Sequence, residues 1–342
     1  MKQQTTIKDI AHYTGVSYMT VSRILKGSDR HSEATRKKVL QAAEKLKYQP
    51  NALAKAFRTK KTGIVGLIIR KRSDKTVRSD MFYSRIIEGI ESELLVHDYN
   101  ILLSSIDTEQ INDFELPSAL NKGLLDGILI LGVMDRKYLS WLYEKCPQLV
   151  VVDETPEDIP CVFSSNYQGG WQAGEYLYNK GHRNFAMILG KWKDYNFESR
   201  LAGFATFLKQ KPDASLNIVR CGPTEQDRLE AIEKLLRETP KLSAIFCAND
   251  GFAFDVIHSI RKSGYEVPKD IAVVGYDNID MSSHINPSLT TLAVDKELMG
   301  REAAKLLMKF INYEKDKNAT KKPAAKQLRI EIPVQLIERE TS

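Results

Sequence analysis

A short face near the start of the chain carries side chains that can read the edges of DNA bases. In the segment VSYMTVSRIL (residues 16–25), helical spacing turns the apolar residues inward and leaves four others facing outward. An outward arginine can bind O6 and N7 of one guanine, and aromatic or thioether groups can contact base edges and thymine methyls. The sequence therefore predicts a DNA-reading face composed of Tyr18, Met19, Ser22 and Arg23.

Three short helices are predicted to hold this face. Thr6 and Asp9 have the spacing of a capping box at a helix start, and Gly15 ends that helix. Ser17 caps a second helix and Ser32 a third. Two short helices joined by a tight turn and braced by a third form a helix-turn-helix. In the third helix the predicted inward residues are Val39, Leu40, Ala43 and Leu46.

The charge is concentrated at the same end of the chain. Residues 1–60 contain 13 Lys and Arg against four Asp and Glu, a net +9, whereas the other 282 residues contain 37 against 40, a net −3. This asymmetry favours a nucleic-acid partner for the basic end, with affinity that falls as salt rises. The alternative is that the basic residues only form a solvated helix face. Ser17, Thr20 and Ser22 suit phosphate oxygens, which fix register without reading sequence, and Thr6 is also predicted to contact DNA.

Composition indicates a soluble globular protein. The 342 residues are 42% hydrophobic and 27% charged, which is enough to fill more than one core. The apolar runs have the length of strands rather than of membrane spans, and the start of the chain is polar, so we expect a cytoplasmic protein. The cysteines are far apart, without metal-ligand spacing, which predicts reduced thiols and no metal site. They are Cys146, Cys161, Cys221 and Cys247.

After residue 62 the pattern changes to alternating strands and helices. Such alternation predicts an α/β fold in which helices cover both faces of parallel sheets. Polar residues follow several predicted strands, and the carboxyl ends of parallel strands are where ligands bind. The predicted strands are GIVGLII, NILLSS, DGILILG, QLVVVD, NFAMILG, LSAIFCAND and DIAVVGYD. The polar residues that follow them are Asp153, Asn249, Asp250 and Asp277.

The amino-terminal motifs closely resemble those of the LacI/GalR (lactose repressor/galactose repressor) family of bacterial regulators. The shared elements are Asp-Ile-Ala, Gly-Val-Ser, Thr-Val-Ser-Arg and Tyr-x-Pro-Asn, and the similarity continues along nearly the whole chain. The resemblance implies a head at 1–49, a hinge at 50–60 and a two-lobed, periplasmic-binding-protein-like (type I) body at 61–342. Lobe 1 is expected at about 61–163 and 293–325, and lobe 2 at about 164–292 and 326–342. The segment KQLRIEIPVQLIERETS is predicted to form paired strands.

The hinge is predicted to order on DNA. Asn51 can cap a helix of about eight residues, which is too short to be stable alone. In the family this helix pairs with its copy in a dimer and inserts a leucine into the minor groove. Phe57 occupies that position here, and a phenyl wedge can also unstack a base step. The alternative is that Phe57 packs on the body or on the partner hinge. Ala54 and Lys55 complete the predicted hinge contacts with DNA.

The resemblance also implies an effector site between the lobes. Arg200 matches the family arginine that holds a ligand hydroxyl or carboxylate, and it joins the polar residues at the strand ends. Carboxylates, an amide and a guanidinium together suit sugar hydroxyls. Phe82, Tyr83 and Trp192 are predicted to stack on the sugar ring. Each of these residues also has a structural alternative, such as Asp250 capping its helix.

These features predict a homodimeric repressor that binds a near-palindromic operator and is switched by a sugar or sugar derivative. The basic segment RKRSDKTVRSD either contacts an anionic effector or is a solvated insertion, which we favour. Alternatives are a sugar-binding enzyme or a global regulator controlled by a phosphorylated carrier protein. No nucleotide-binding or zinc motif is present in the sequence, and GGWQAG is a weak glycine cluster, so we expect neither enzymatic activity nor a cofactor.

Overall fold

The computed structural model describes residues 5–25, 30–48, 61–70, 81–106, 117–192, 194–313 and 328–342. The predicted hinge contacts (Asn51, Ala54, Lys55 and Phe57) and the basic segment at 71–80 lie outside the described residues. The chain divides into two compact units, Met1–Thr62 and Gly63–Ser342. We call these units the head and the body and describe each by itself.

The helices of the head begin at the predicted caps. Thr6 and Asp9 form a reciprocal capping box, in which the Thr6 amide donates to Asp9 Oδ2 at 2.7 Å. Gly15 ends the first helix in the left-handed region, with φ of 66°. Ser17 and Ser32 each accept a backbone N–H at the start of the next helix. The helices are α1 (Ile7–Thr14), α2 (Tyr18–Ile24) and α3 (Glu33–Lys45).

A small apolar core joins these three helices, and it corrects two sequence predictions. Leu40 was predicted to point inward, but it is 45% exposed because the buried stripe of α3 runs through Val39 and Ala42 instead. Ser22 was predicted to point outward, but it is buried, since it lies three residues before Leu25 on the inner side of α2. The buried apolar residues of the head are Ile10, Val21, Ile24, Val39 and Ala42.

The body consists of two lobes, each built on a six-stranded sheet, and the predicted α/β class is confirmed. The strands are β1 (Ile64–Arg70), β2 (Asn100–Ile106), β3 (Gly127–Leu131), β4 (Leu149–Val152), β5 (Cys161–Ser164), β6 (Asn184–Gly190), β7 (Ser215–Cys221), β8 (Ala244–Cys247), β9 (Ala272–Asp277), β10 (Thr290–Val294), β11 (Arg329–Ile332) and β12 (Val334–Ile337). The helices are α4 (Met81–Val96), α5 (Ser118–Asn121), α6 (Arg136–Lys145), α7 (Asn166–Asn179), α8 (Tyr195–Lys209), α9 (Glu225–Glu238), α10 (Asp250–Lys262) and α11 (Lys296–Tyr313).

The strand order defines the two lobes. The first sheet has the order β11-β5-β4-β3-β1-β2, and the second has β12-β10-β9-β8-β6-β7. The neighbouring strands run parallel, apart from β12, which is antiparallel to β10. Helices α4 and α11 pack together on the first sheet, whereas α7 and α8 pack together on the second. Parallel strands place their carboxyl ends at one edge of each sheet, where the predicted effector residues lie.

The carboxyl-terminal segment corrects the predicted lobe boundaries. Its two strands were expected to pair with each other, but β11 pairs with β5 in the first sheet and β12 pairs with β10 in the second. Arg329–Ile332 therefore belongs to lobe 1, although 326–342 was assigned to lobe 2. Strand β10 remains in the second sheet through Val294, so the chain leaves lobe 2 slightly later than the predicted position near 292. Strands β5, β7 and β10 were missed by the sequence prediction.

Close helix packing explains the glycine cluster GGWQAG. A Cβ atom at Gly170 on α7 would collide with the Arg200 carbonyl on α8, and one at Gly203 would collide with the Tyr167 carbonyl. The glycines thus bring α7 and α8 into backbone contact, which fixes the helix that carries Arg200. In the described part of the chain, no helix is long and apolar enough to cross a membrane.

Candidate functional site

The head presents its predicted DNA-reading face at the start of α2. Tyr18 is 52% exposed and Met19 61% exposed, and Arg23 is also exposed one turn further along. Their inner neighbours Val21 and Ile24 are buried, so the helix is anchored by its opposite side. Ser17 Oγ accepts the Thr20 amide at 3.2 Å, which caps α2. With Ser22 buried, the outward face consists of Tyr18, Met19 and Arg23.

We expect Arg23→Ala to relax operator specificity at one base position. A bidentate arginine–guanine contact discriminates against the wrong base by about 1–3 kcal/mol. Binding sites selected from a random duplex library would then show no base preference at one position, while the other positions keep theirs. The matched control is Lys37→Ala, which removes an exposed charge from α3 and should leave base preferences unchanged. Uniform weakening over all sequences would instead make Arg23 a phosphate contact.

Arg200 is the centre of a buried polar cluster in the body. It is 2% exposed and lies on α8, where its Nε donates to Asn166 Oδ1 at 2.8 Å. Its Nη1 donates to the carbonyl of Ala248 at the end of β8, and its Nη2 lies 3.4 Å from Asp277 Oδ1. The guanidinium also stacks 3.5 Å above the ring of Tyr276. Arg200 thus joins the carboxyl ends of β8 and β9 to α7.

The cluster continues into the first lobe through Asp153. This residue follows β4 in a left-handed conformation, with φ of 61°. Asn196 Nδ2, one turn before Arg200 on α8, donates to the Asp153 carbonyl at 2.9 Å and to Oδ1 at 3.1 Å. It is held from the other side, because Asn166 Nδ2 donates to Asn196 Oδ1 at 2.9 Å. Tyr83 on α4 donates a long hydrogen bond of 3.4 Å to Asp153 Oδ2.

A second contact between the lobes lies at the surface. Arg85 on α4 places Nη2 at 2.8 Å from Oδ2 of Asp280, which begins a short turn of the second lobe. Both side chains are substantially exposed, so solvent screens this ion pair and its contribution to stability is small. The buried contact between Asp153 and Asn196 is therefore the more specific connection between the two lobes.

Burial raises the pKa of Asp153 well above the ordinary value of an aspartate. Arg200 opposes this shift, but the nearby carboxylates of Asp277 and Asp194 add to it. The folded protein therefore keeps the proton to higher pH than the unfolded chain does. The stabilising contribution of this carboxyl group is full below the ordinary Asp pKa of about 3.9 and is lost as pH rises through the raised pKa.

We expect Asp153→Asn to remove this part of the pH dependence. The amide keeps an oxygen for Asn196 and stays neutral, so the variant should gain stability relative to the parent as pH rises from about 4 to about 8. Urea unfolding across that range gives the measurement. The control is Asp213→Asn, because Asp213 is an exposed carboxylate whose pKa is lowered by Tyr178 and Arg183. A constant difference between Asp153→Asn and the parent at all pH values would contradict the expectation.

Asp250 is not placed to contact a ligand, which corrects the sequence prediction. It is completely buried, and its Oδ1 accepts the Thr291 hydroxyl at 2.6 Å. Its Oδ2 accepts the Ser282 hydroxyl at 2.6 Å and the Ile279 amide at 2.9 Å. The preceding residue, Asn249, caps α10 by accepting the Phe252 amide at 2.9 Å and is partly exposed. Asp250 is therefore a structural residue, and Asn249 is the one at the strand end that retains access to solvent.

The predicted aromatic residues differ in exposure, since Phe82 is buried and Trp192 is partly exposed. Phe82 is buried in the first-lobe core and packs edge-on against Tyr83, with 5.3 Å between ring centroids. Core packing therefore occupies the ring of Phe82, and its stacking on a sugar ring stays a prediction. Trp192 is partly exposed and stacks on Phe252 with 6.1 Å between centroids. Together with Phe197, it forms an aromatic wall beside the start of α8.

Sequence reasoning missed Asn166 and Asn196. Asn196 lies four residues before Arg200, a spacing that places both on one face of a helix, so the signal was present. Asn166 follows β5, a strand that was not predicted from the sequence. Among the described residues, no group of three or more His, Cys, Asp or Glu is placed to hold a metal ion. The four cysteines are buried free thiols.

Comparisons with known proteins identify the family. Residues 6–51 match the family model described as bacterial regulatory proteins, lacI family, and residues 175–342 match the periplasmic binding protein-like domain. The chain is 34% identical over 316 residues to catabolite control protein A of Priestia megaterium, covering 90% of this chain and 93% of that protein. It is 30% identical over 315 residues to the regulator RegA of Clostridium saccharobutylicum, with 90% and 93% covered.

Two solved structures match nearly the whole length of the chain. The transcriptional regulator CelR in complex with cellobiose matches with a TM-score of 0.70 at 28% identity, covering 99% of this chain and 100% of that one. The lac repressor dimer bound to operator and the anti-inducer ONPF matches with a TM-score of 0.81 at 24% identity, covering 99% of both chains, and shows the fold. The chain belongs to the LacI family of bacterial regulatory proteins. It is a DNA-binding transcriptional regulator, as its relatives are named, rather than an enzyme.

Proposed function

We propose that the protein is a homodimeric repressor of carbohydrate-utilisation genes whose operator affinity is switched by a sugar bound between the two lobes. The observation that carries the proposal is the buried cluster of Asp153, Asn196, Arg200 and Asp277, which connects both lobes at the carboxyl ends of the strands. Carboxylate oxygens accept hydrogen bonds from sugar hydroxyls, and the amide and guanidinium groups donate them. The relative CelR, whose structure contains cellobiose, supports this ligand class.

The switch follows from the position of the cluster. A ligand that bonds to Asp153 in one lobe and to Arg200 in the other favours the arrangement in which the lobes are close. Only a ligand with different affinities for the two arrangements can shift their equilibrium. We propose that closure lowers operator affinity, so that the sugar acts as an inducer.

The apolar surface of the first lobe supports a dimer. Leu95 and Val96, at the end of α4, are 59% and 76% exposed. Leu102 and Leu103 lie on the neighbouring edge strand β2 and are 38% and 43% exposed. An exposed edge strand with apolar side chains is a surface that another chain covers. A second copy placed there would bring two heads to a two-fold symmetric operator.

The test is to titrate the purified protein with neutral monosaccharides and disaccharides, including cellobiose. Calorimetry and the shift in thermal unfolding temperature measure the binding. We expect one sugar class to bind and to release operator DNA. Asp277→Asn should weaken that binding at least about tenfold, because a charge-assisted hydrogen bond is lost. The control is Asp213→Asn, since Asp213 lies just before β7, at the amino end of the strand. Binding of a phosphorylated carrier protein, but of no sugar, would favour the global-regulator alternative.

A further inference from the structure

The turn that follows β9 combines unusual backbone geometry with a buried cation. Asp277 and Asn278 are consecutive non-glycine residues with positive φ, at 106° and 48°. Such conformations are strained for residues with a side chain and persist only where the surroundings impose them. Lys296, the first residue of α11, is 8% exposed and lies against this turn.

The ammonium of Lys296 is bound entirely by backbone carbonyls of this region. Its Nζ donates to the Asp277 carbonyl at 2.7 Å, to the Asn278 carbonyl at 2.9 Å and to the Val294 carbonyl at 3.3 Å. An ammonium has three N–H donors, and these three acceptors use all of them. Two of these carbonyls belong to the consecutive residues with positive φ, Asp277 and Asn278.

Other contacts hold the rest of the turn in the same conformation. The Asn278 side chain accepts from Arg339 Nη2 at 2.8 Å, and the Ile279 amide donates to Asp250 at 2.9 Å. These contacts tie the turn to the second lobe. Lys296 differs from them, because it begins a helix that packs on α4 in the first lobe.

We propose that Lys296 is a positioning residue that imposes the Asp277–Asn278 turn and thereby aims the Asp277 carboxylate at Arg200. The inference rests on the proposed effector site, whose second-lobe carboxylate it would hold. Lys296 lies where the chain passes from β10 to α11, so movement of the lobes changes its position relative to the turn. The same residue therefore couples lobe arrangement to the geometry of Asp277.

The test needs no identified effector. Amide hydrogen exchange is measured by mass spectrometry on full-length parent, Lys296→Met and Lys296→Arg. We expect exchange in the peptide covering 276–282 to become at least roughly tenfold faster in Lys296→Met, because the turn relaxes once its carbonyls lose their cation. Lys296→Arg, which keeps a cation with donors, should restore most of the protection. The control Lys305→Met removes an exposed lysine from the same helix and should leave this peptide unchanged.

A crystal structure of Lys296→Met gives the second readout. We expect φ of Asp277 to become negative and the Asp277–Arg200 contact to lengthen beyond an ion pair. An unchanged turn with unchanged exchange would overturn the proposal while leaving the effector site intact. Equal loss of protection in the Met and Arg variants would also overturn it, since packing alone would then explain the effect. Failure of every sugar to bind would refute the proposed ligand class but not this role of Lys296.

Discussion

Arg200→Met is expected to lower the free energy of unfolding by about 3–5 kcal/mol and to abolish any response to effector. Removing one member of a buried ion pair leaves the other charge without compensation, and that penalty has this size. Here the remaining charge is Asp277, while Asn166 Oδ1 and the Ala248 carbonyl also lose a donor. Urea unfolding of parent and variant measures the first effect, and operator release by the bound sugar measures the second.

Two further variants separate the charge from the packing. Arg200→Met combined with Asp277→Asn should recover much of the lost stability, because no unpaired buried carboxylate remains. Arg183→Met removes an arginine that pairs with Asp213 at 2.6 Å, but that pair is exposed, so a loss of about 1 kcal/mol or less is expected. A variant Arg200→Met as stable as Arg183→Met would contradict the view that Arg200 organises the cluster.

Asp250→Ala should destabilise the body by at least about 3 kcal/mol. It leaves two buried hydroxyl donors and one partly buried amide without an acceptor, and each buried unsatisfied group costs about 1–3 kcal/mol. These donors come from Ile279, Ser282 and Thr291. Unfolding in urea gives the measurement. The control Asp227→Ala removes an exposed capping-box carboxylate and should cost about 1 kcal/mol.

The Asp250 variant also distinguishes the sequence prediction from the structure. From the sequence, Asn249 and Asp250 were both candidates for ligand contact, because both follow the strand that became β8. The structure turns Asp250 into the second lobe and leaves Asn249 at the start of α10. If Asp250→Ala kept its stability but lost effector binding, the original assignment of Asp250 to the ligand would be right.

The head was largely predictable because its signals are local. Caps at Thr6, Ser17 and Ser32 fixed the helix starts, and apolar spacing gave most of the inner face. The two errors, Ser22 and Leu40, both lie at the border between the two faces of a helix. Periodicity alone cannot decide such positions, because burial there depends on how the neighbouring helix is placed.

In the body, local sequence patterns predicted some of the strands but not all of them. Central strands such as β3 are buried on both faces and give continuous apolar runs, which predicted them well. Edge strand β7 alternates with polar residues, and its signal was missed. Strands β11 and β12 are separated only by Pro333, yet they join different sheets. Their partners β5 and β10 lie far away in the sequence, so no local pattern could assign them.

The most direct test of the account is selection of bound duplexes from a random library by the purified full-length protein at two salt concentrations. We expect the selection to recover a two-fold symmetric site with a fixed centre. The affinity for this site should fall steeply as salt rises. The Tyr18, Met19 and Arg23 face would read each half-site. Unpatterned binding at both salt concentrations would contradict an operator-specific dimer and would leave the basic head as a general nucleic-acid anchor.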